Sequence, residues 1–203
     1  MRESILTEAT SHPLRRVLSA ALVTFAAASS ASAGPLADTA VEAESMAASG
    51  NARGAYARMQ EALGNFAATL PFEVGLFEFV TEKPAAYGSY KSRANAVFRP
   101  GEPLITYVEL IGLTWKKLPD SRHTAAFTVD LELIDYKGDT LAAKKGFGSF
   151  AFTGRTRNQE IYTHLTLDVS GASPGDYRVR YTVNDTLGRR STSFEQKFSI
   201  ARE

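Results

Sequence analysis

Two histidines, His123 and His164, carry most of the acid–base or metal chemistry this chain offers, because the third, His12, falls in a segment expected to be removed and there is no cysteine. Without a thiol there is no Cys nucleophile, zinc-thiolate site, disulfide or thioester-linked lipid anchor. His164 alternates with its neighbours so that a strand would set Tyr162, His164, Thr166 and Asp168 on one face. An imidazole beside a carboxylate there could act as general base or metal ligand. The same alternation describes the wet side of a half-buried sheet. His123 stands near Asp120 and Arg122 between two expected strands and reads as part of a solvated turn.

Nucleophilic hydrolysis needs a serine on a strained elbow, and no G-x-S-x-G occurs; Gly148, Ser149 and Phe150 give only its first half. The glycines of Gly146-Phe147-Gly148 fit neither phosphate-loop pattern and read as a bulge. Asp176 and Asp185 stand at strand ends where calcium could sit, but no D-x-D-x-D-G loop accompanies them. The expectation is therefore no catalytic set, no metal and no cofactor.

Binding chemistry is better represented. Basic residues gather at Lys116 and Lys117 beside Trp115, at Lys144 and Lys145, at Arg155 and Arg157, and at Arg189 and Arg190. Cation and aromatic together can grip a polyanion or a sugar, so the expected binding residues are Trp115, Lys116, Lys117, Tyr136 and Arg157. Trp115, Tyr136 and Tyr162 on one surface would point to a carbohydrate-binding module instead. A purely structural reading has the charges protecting loops and sheet edges, with Trp115 filling a gap between sheets.

The elements that must position these residues fall in two zones. Residues 36–70 are rich in Ala, Glu, Met and Arg, which suits helix. One helix is expected over residues 37–48, ending at Ser49, Gly50 and Asn51, and a second over 55–70, ended by Pro71. In the second, Tyr56, Met59, Leu63, Phe66 and Leu70 form one apolar stripe expected to pack on the rest of the protein or on its partner helix. From residue 72 onward the period changes to two. Phe127, Val129, Leu131 and Leu133 alternate with polar residues, Gly138 marks a hairpin turn, and Ile161 to Val169 and Tyr177 to Val183 alternate likewise. Further strands are expected near residues 76–80, 94–98, 104–111, 148–153 and 192–200. Seven or eight short strands with regular turns predict a mainly β protein, an antiparallel sandwich preceded by an α-helical hairpin.

Residues 1–33 read as an export signal: Arg15 and Arg16, an apolar stretch over 17–28, then Ala31-Ser32-Ala33 as a small-x-small cleavage site. The paired arginines leave the general and twin-arginine routes both open. The stretch of 12 residues is shorter than the ~20 a spanning helix needs, so the mature chain is not expected to span a membrane. Removing the signal from a chain with 23 basic and 22 acidic residues leaves 20 of each, which argues against nucleic acid as a partner. The expected domains are a signal over 1–33, a helical segment over 34–71 and a sandwich over 72–203.

Residues 87–90 (YGSY), 98–103 (FRPGEP), 104–109 (LITYVE), 131–135 (LELID) with Gly138, and 173–185 (SPGDYRVRYTVND) give the chain a resemblance to secreted or periplasmic bacterial proteins of unknown function with an immunoglobulin-like or fibronectin-like sandwich. The resemblance covers roughly residues 72–200 and bears on fold far more than on function, and no catalytic residues are carried over from it. The function expected from the whole is an exported, non-enzymatic binding or structural protein of the cell envelope, engaging a protein or an envelope polymer. A carbohydrate-binding module is the alternative, and a hydrolase using His164 the third reading.

Overall fold

A computed structural model describes residues 34–202. Helix α1 (Pro35–Ala48) starts with proline at its first turn, where the missing N–H costs no helical bond, and Asp38 complements the positive N-terminal end. Gly50, at φ 83°, closes it. Helix α2 (Ala52–Ala67) begins three residues before the expected start because Asn51 is itself the cap: its side chain accepts from the Gly54 N–H at 3.0 Å. Leu70 lies beyond its end. No helix among the described residues is long and apolar enough to cross a membrane.

The rest is mainly β, with antiparallel pairing throughout except at one short parallel ladder. The strands are β1 (Glu73–Val80), β2 (Val97–Phe98), β3 (Leu104–Ile111), β4 (Lys116–Lys117), β5 (His123–Asp135), β6 (Thr140–Gly154), β7 (Ile161–Leu167), β8 (Gly175–Asp185) and β9 (Arg190–Ile200). A three-stranded sheet runs β1-β3-β7, and a larger sheet runs β2-β9-β8-β5, with β6 along the far side of β5. His123 and Thr124 pair with both β4 and β6, so β4 continues the β8 side of β5 past the end of β8. β2 is the parallel exception, pairing Val97 with Ser199.

The inward faces follow from the register. Leu104, Val108 and Leu110 of β3 face the same way as Ile161 and Leu165 of β7, and these meet Phe127, Val129, Val179, Tyr181 and Phe198 of the larger sheet in one buried core. Within that apolar layer Thr106 donates to Gln196 Oε1 at 2.8 Å, so the two sheets share a buried hydrogen bond. Leu167 packs on the core at its margin, half-buried. The Gly138 turn is as expected, at φ 98°. At Gly146 the register of β6 against β5 slips, giving the expected bulge.

Three expectations need correcting. β6 begins at Thr140, eight residues before the expected strand, because it pairs only with β5 and its first half is exposed on both faces, so it carries no alternation. His123 is the first residue of β5 and half-buried, whereas the loop was expected to hold it. The α2 stripe is uncovered: α2 buries Ala55, Ala62, Gly64 and Ala67, because small side chains allow α1 and the β region to approach closely.

Candidate functional site

A groove of about 600 Å³ opens where the hairpin turn after β5 meets the starts of β8 and the end of β9. Tyr136, 74% exposed on that turn, and Tyr177 supply its aromatic lining. Arg178 and Lys197 sit directly across from one another on β8 and β9, on the outward face, and both reach the groove. Tyr177 is braced on both sides, stacking on Phe198 at 5.5 Å between centroids and donating its hydroxyl proton to the Ser173 carbonyl at 2.7 Å. Lys137 lies 5.5 Å from the Tyr136 ring centre, adding a cation at the rim. Asp176, the acidic lining residue, accepts a hydrogen bond from Ser199 at 2.6 Å. Farther along the same outward face, Arg180 bridges Glu132 at 2.7 Å and Glu195 at 2.6 Å, while Arg178 stands 3.5 Å from Glu195. Lys197 enters none of these pairs. The groove thus combines an exposed tyrosine and cations that are only loosely matched, with the core-packed Tyr177 at its inner margin, which suits an extended ligand with acidic groups.

A second polar constellation lies on the outward face of the three-stranded sheet. Residues 81–96 strap across it and bury Tyr107, whose ring stacks on Tyr90 at 4.2 Å and lies 5.7 Å from Tyr162. The Tyr107 hydroxyl donates to Glu109 at 2.6 Å and accepts from the Gly88 N–H at 2.8 Å. Burial and then the Glu109 carboxylate raise the pKa values of Tyr107 and Tyr87 above the ordinary tyrosine value, so both stay protonated. His164 is the cross-strand neighbour of Tyr107. Its partial burial, and then the Lys83 ammonium, push its pKa below the usual histidine value. No carboxylate among the described residues is hydrogen-bonded to its ring, and the one across the sheet, on Glu109, is engaged by Tyr107. Tyrosine hydroxyls here fasten the strap to the sheet.

Of the expected binding residues, Trp115 and Arg157 come together, with Lys116 and Lys117 next in the chain, and Tyr136 stands apart. Trp115 is half-buried against the core, in a small cavity of about 90 Å³ that it shares with Arg157, Gly64 and Arg190. Arg157 is turned to α2, donating to Asn65 Oδ1 at 2.7 Å. Lys116 and Lys117 are exposed on β4, opposite Thr124 and His123 at the start of β5. Tyr136 follows the other end of β5, about 40 Å away along a strand rising ~3.3 Å per residue. Trp115, Tyr136 and Tyr162 therefore do not share one surface. Asp176 and Asp185 likewise stand at opposite ends of β8, roughly 30 Å apart by the same rise. Asp185 is buried and internally matched: Thr114 donates to it at 2.6 Å, the Gly188 N–H at 2.9 Å and Arg190 at 3.1 Å. Among the described residues no three His, Asp or Glu side chains gather as a metal site.

Tyr177, Arg178 and Lys197 were not among the expected binding residues. A signal for them exists: a hairpin turning about Gly188 pairs Arg178 with Lys197, but only once that register is fixed.

No protein-family model matches the chain, and no curated protein matches it. Its backbone is similar to part of a family 123 glycoside hydrolase from Clostridium perfringens, a structure described for the details of glycolipid glycan hydrolysis, with 15% identity and a TM-score of 0.38. The likeness covers 66% of this chain and 28% of that one, so the chain spans less than a third of the hydrolase.

Proposed function

We propose that this chain is an exported, non-enzymatic binding protein of the bacterial cell envelope, in which an immunoglobulin-like sandwich presents the Tyr136–Tyr177 groove to a macromolecular partner. The observation that carries the reading is the groove itself: the exposed Tyr136 beside Arg178 and Lys197 in a channel of about 600 Å³, with Tyr177 at its inner margin. Tyrosine faces offer apolar surface to a sugar ring or a side chain, and the cations select acidic groups. An acidic envelope polysaccharide fits this chemistry best. With near-zero formal charge overall, attraction to it is local to the groove rather than long-ranged.

Calorimetric titration of the chain with polygalacturonate and with a neutral glucan tests the proposal. Saturable binding to the acidic polymer is expected, weakened by salt and reduced at least tenfold by Tyr136→Ala and by Lys197→Glu. Equal affinity for the neutral glucan would favour a general carbohydrate-binding module. Binding to neither, or binding indifferent to both substitutions, sinks the groove reading. Export is tested separately, by N-terminal sequencing of periplasmic protein, with Gly34 expected as the first residue.

A further inference from the structure

The apolar residues of α2 recur at Tyr56, Met59, Leu63 and Phe66, the alternating three-and-four spacing of a coiled-coil seam. They are 68%, 40%, 52% and 46% exposed. Leu36 of α1 extends the patch, meeting Phe66 across a groove of about 550 Å³, and a second groove of about 490 Å³ separates Tyr56, Met59 and Leu63 from residues 156–160. Roughly 500 Å² of apolar side chain is left open in one stretch, the upper end of what a monomer usually shows.

We propose that this seam is the docking surface for a second copy of the same chain, the two α2 helices packing seam to seam in an isologous dimer. Three observations select that occupant. The seam has the heptad spacing by which one helix fills the gaps of an identical helix. Doubling the patch buries roughly 1,000 Å², about the minimum for a specific interface, which suits a reversible dimer. Charge disfavours a lipid surface: residues 35–67 hold Asp38, Glu42, Glu44 and Glu61 against Arg53 and Arg58, and Arg58 is spent on Glu42 and Glu61 at 2.8 and 3.1 Å. An anionic membrane would repel this acidic hairpin, whereas the uncharged seam residues can face their own copies.

Sedimentation equilibrium of the chain, expressed from its full coding sequence, reads the association directly. A monomer–dimer equilibrium is expected between about 1 and 100 μM, shifted to monomer at least tenfold by Leu63→Glu with an unchanged circular dichroism spectrum, since Leu63 lies 52% exposed and outside the buried core. Because the protein has no cysteine, Leu63→Cys gives a sole thiol that should cross-link on oxidation, while Lys137→Cys at the far end of β5 should not. A monomer at every concentration overturns the proposal. So does a dimer indifferent to Leu63→Glu, or a seam that is needed for vesicle binding without self-association.

Discussion

Arg157 lies across Gly64: a Cβ added to that glycine would stand 3.0 Å from the guanidinium carbon, and Nη2 of the arginine donates to Asn65 at 2.7 Å and to the Glu61 carbonyl at 3.3 Å. One side chain from the loop before β7 thus fastens α2 to the β region. Arg157→Ala should weaken that attachment by about 1 kcal/mol. Hydrogen exchange should then accelerate in α1 and α2 while the amides of β8 and β9 keep their protection. Uniform acceleration would mean that the helices and sheets open only as one unit.

Core facing is checked by a pair of neighbours. Leu165 is buried between the sheets and Thr166 is exposed on the outer face. Leu165→Ala should cost about 2 to 5 kcal/mol through lost transfer energy and the cavity left behind, and Thr166→Ala within about 0.5 kcal/mol. Thermal melts of the two variants read the difference.

The Tyr181 hydroxyl is buried with no hydrogen-bond partner among the described residues. Removing a buried, unpaired hydroxyl relieves its desolvation cost, so Tyr181→Phe should stabilise the protein by about 1 kcal/mol. A lowered midpoint in urea would reveal a partner for that hydroxyl.

Asp185 gives the pH dependence a sign. Burial, the largest single influence, opposes its ionisation, but bonds from Thr114, Gly188 and Arg190 together outweigh burial and hold its pKa below the ordinary carboxylate value. The folded state therefore binds this proton less readily than the unfolded chain. Its stabilising contribution is complete above about pH 4 and is lost as the pH falls through the depressed value. Asp185→Asn should be less stable than the parent at pH 7, by about 3 kcal/mol, with the gap narrowing as acid is added. A gap that stays constant down to pH 2 would show that the charge of Asp185 is irrelevant.

Much of this was legible in the sequence where one face of an element is buried and the other is wet. β3, β5, β7 and β8 lie close to their expected places because Val129, Leu165 and Val179 alternate with polar neighbours, and a period of two survives in the sequence. β6 was half legible, since its opening Thr140 to Lys144 pairs with β5 on one side only and has no core face to impose alternation. Periodicity also told which residues of α2 share a side without telling whether that side is covered. The helix buried Ala55 and Ala62 instead, since close approach of backbones rewards small residues. Tyr136 was readable as an exposed aromatic on a turn. Its groove neighbours Tyr177 and Lys197 were not, because they reach it through strand register, which is a long-range property.

The β5–β6 hairpin, closed by the tight turn at Gly138, joins the two longest strands through a short turn, whereas β3 must wait for β7 across some fifty residues that include that hairpin. Loop-closure entropy then orders the events of folding, with local pairing first and the three-stranded sheet closing last. Phe150→Leu, in the hairpin, should slow refolding nearly in proportion to the stability it removes. Leu165→Ala, in β7, should leave refolding almost unchanged and act by hastening unfolding. The half of the molecule that carries the buried Tyr107 is in this sense the clasp, and its opening rate sets how long the native state persists.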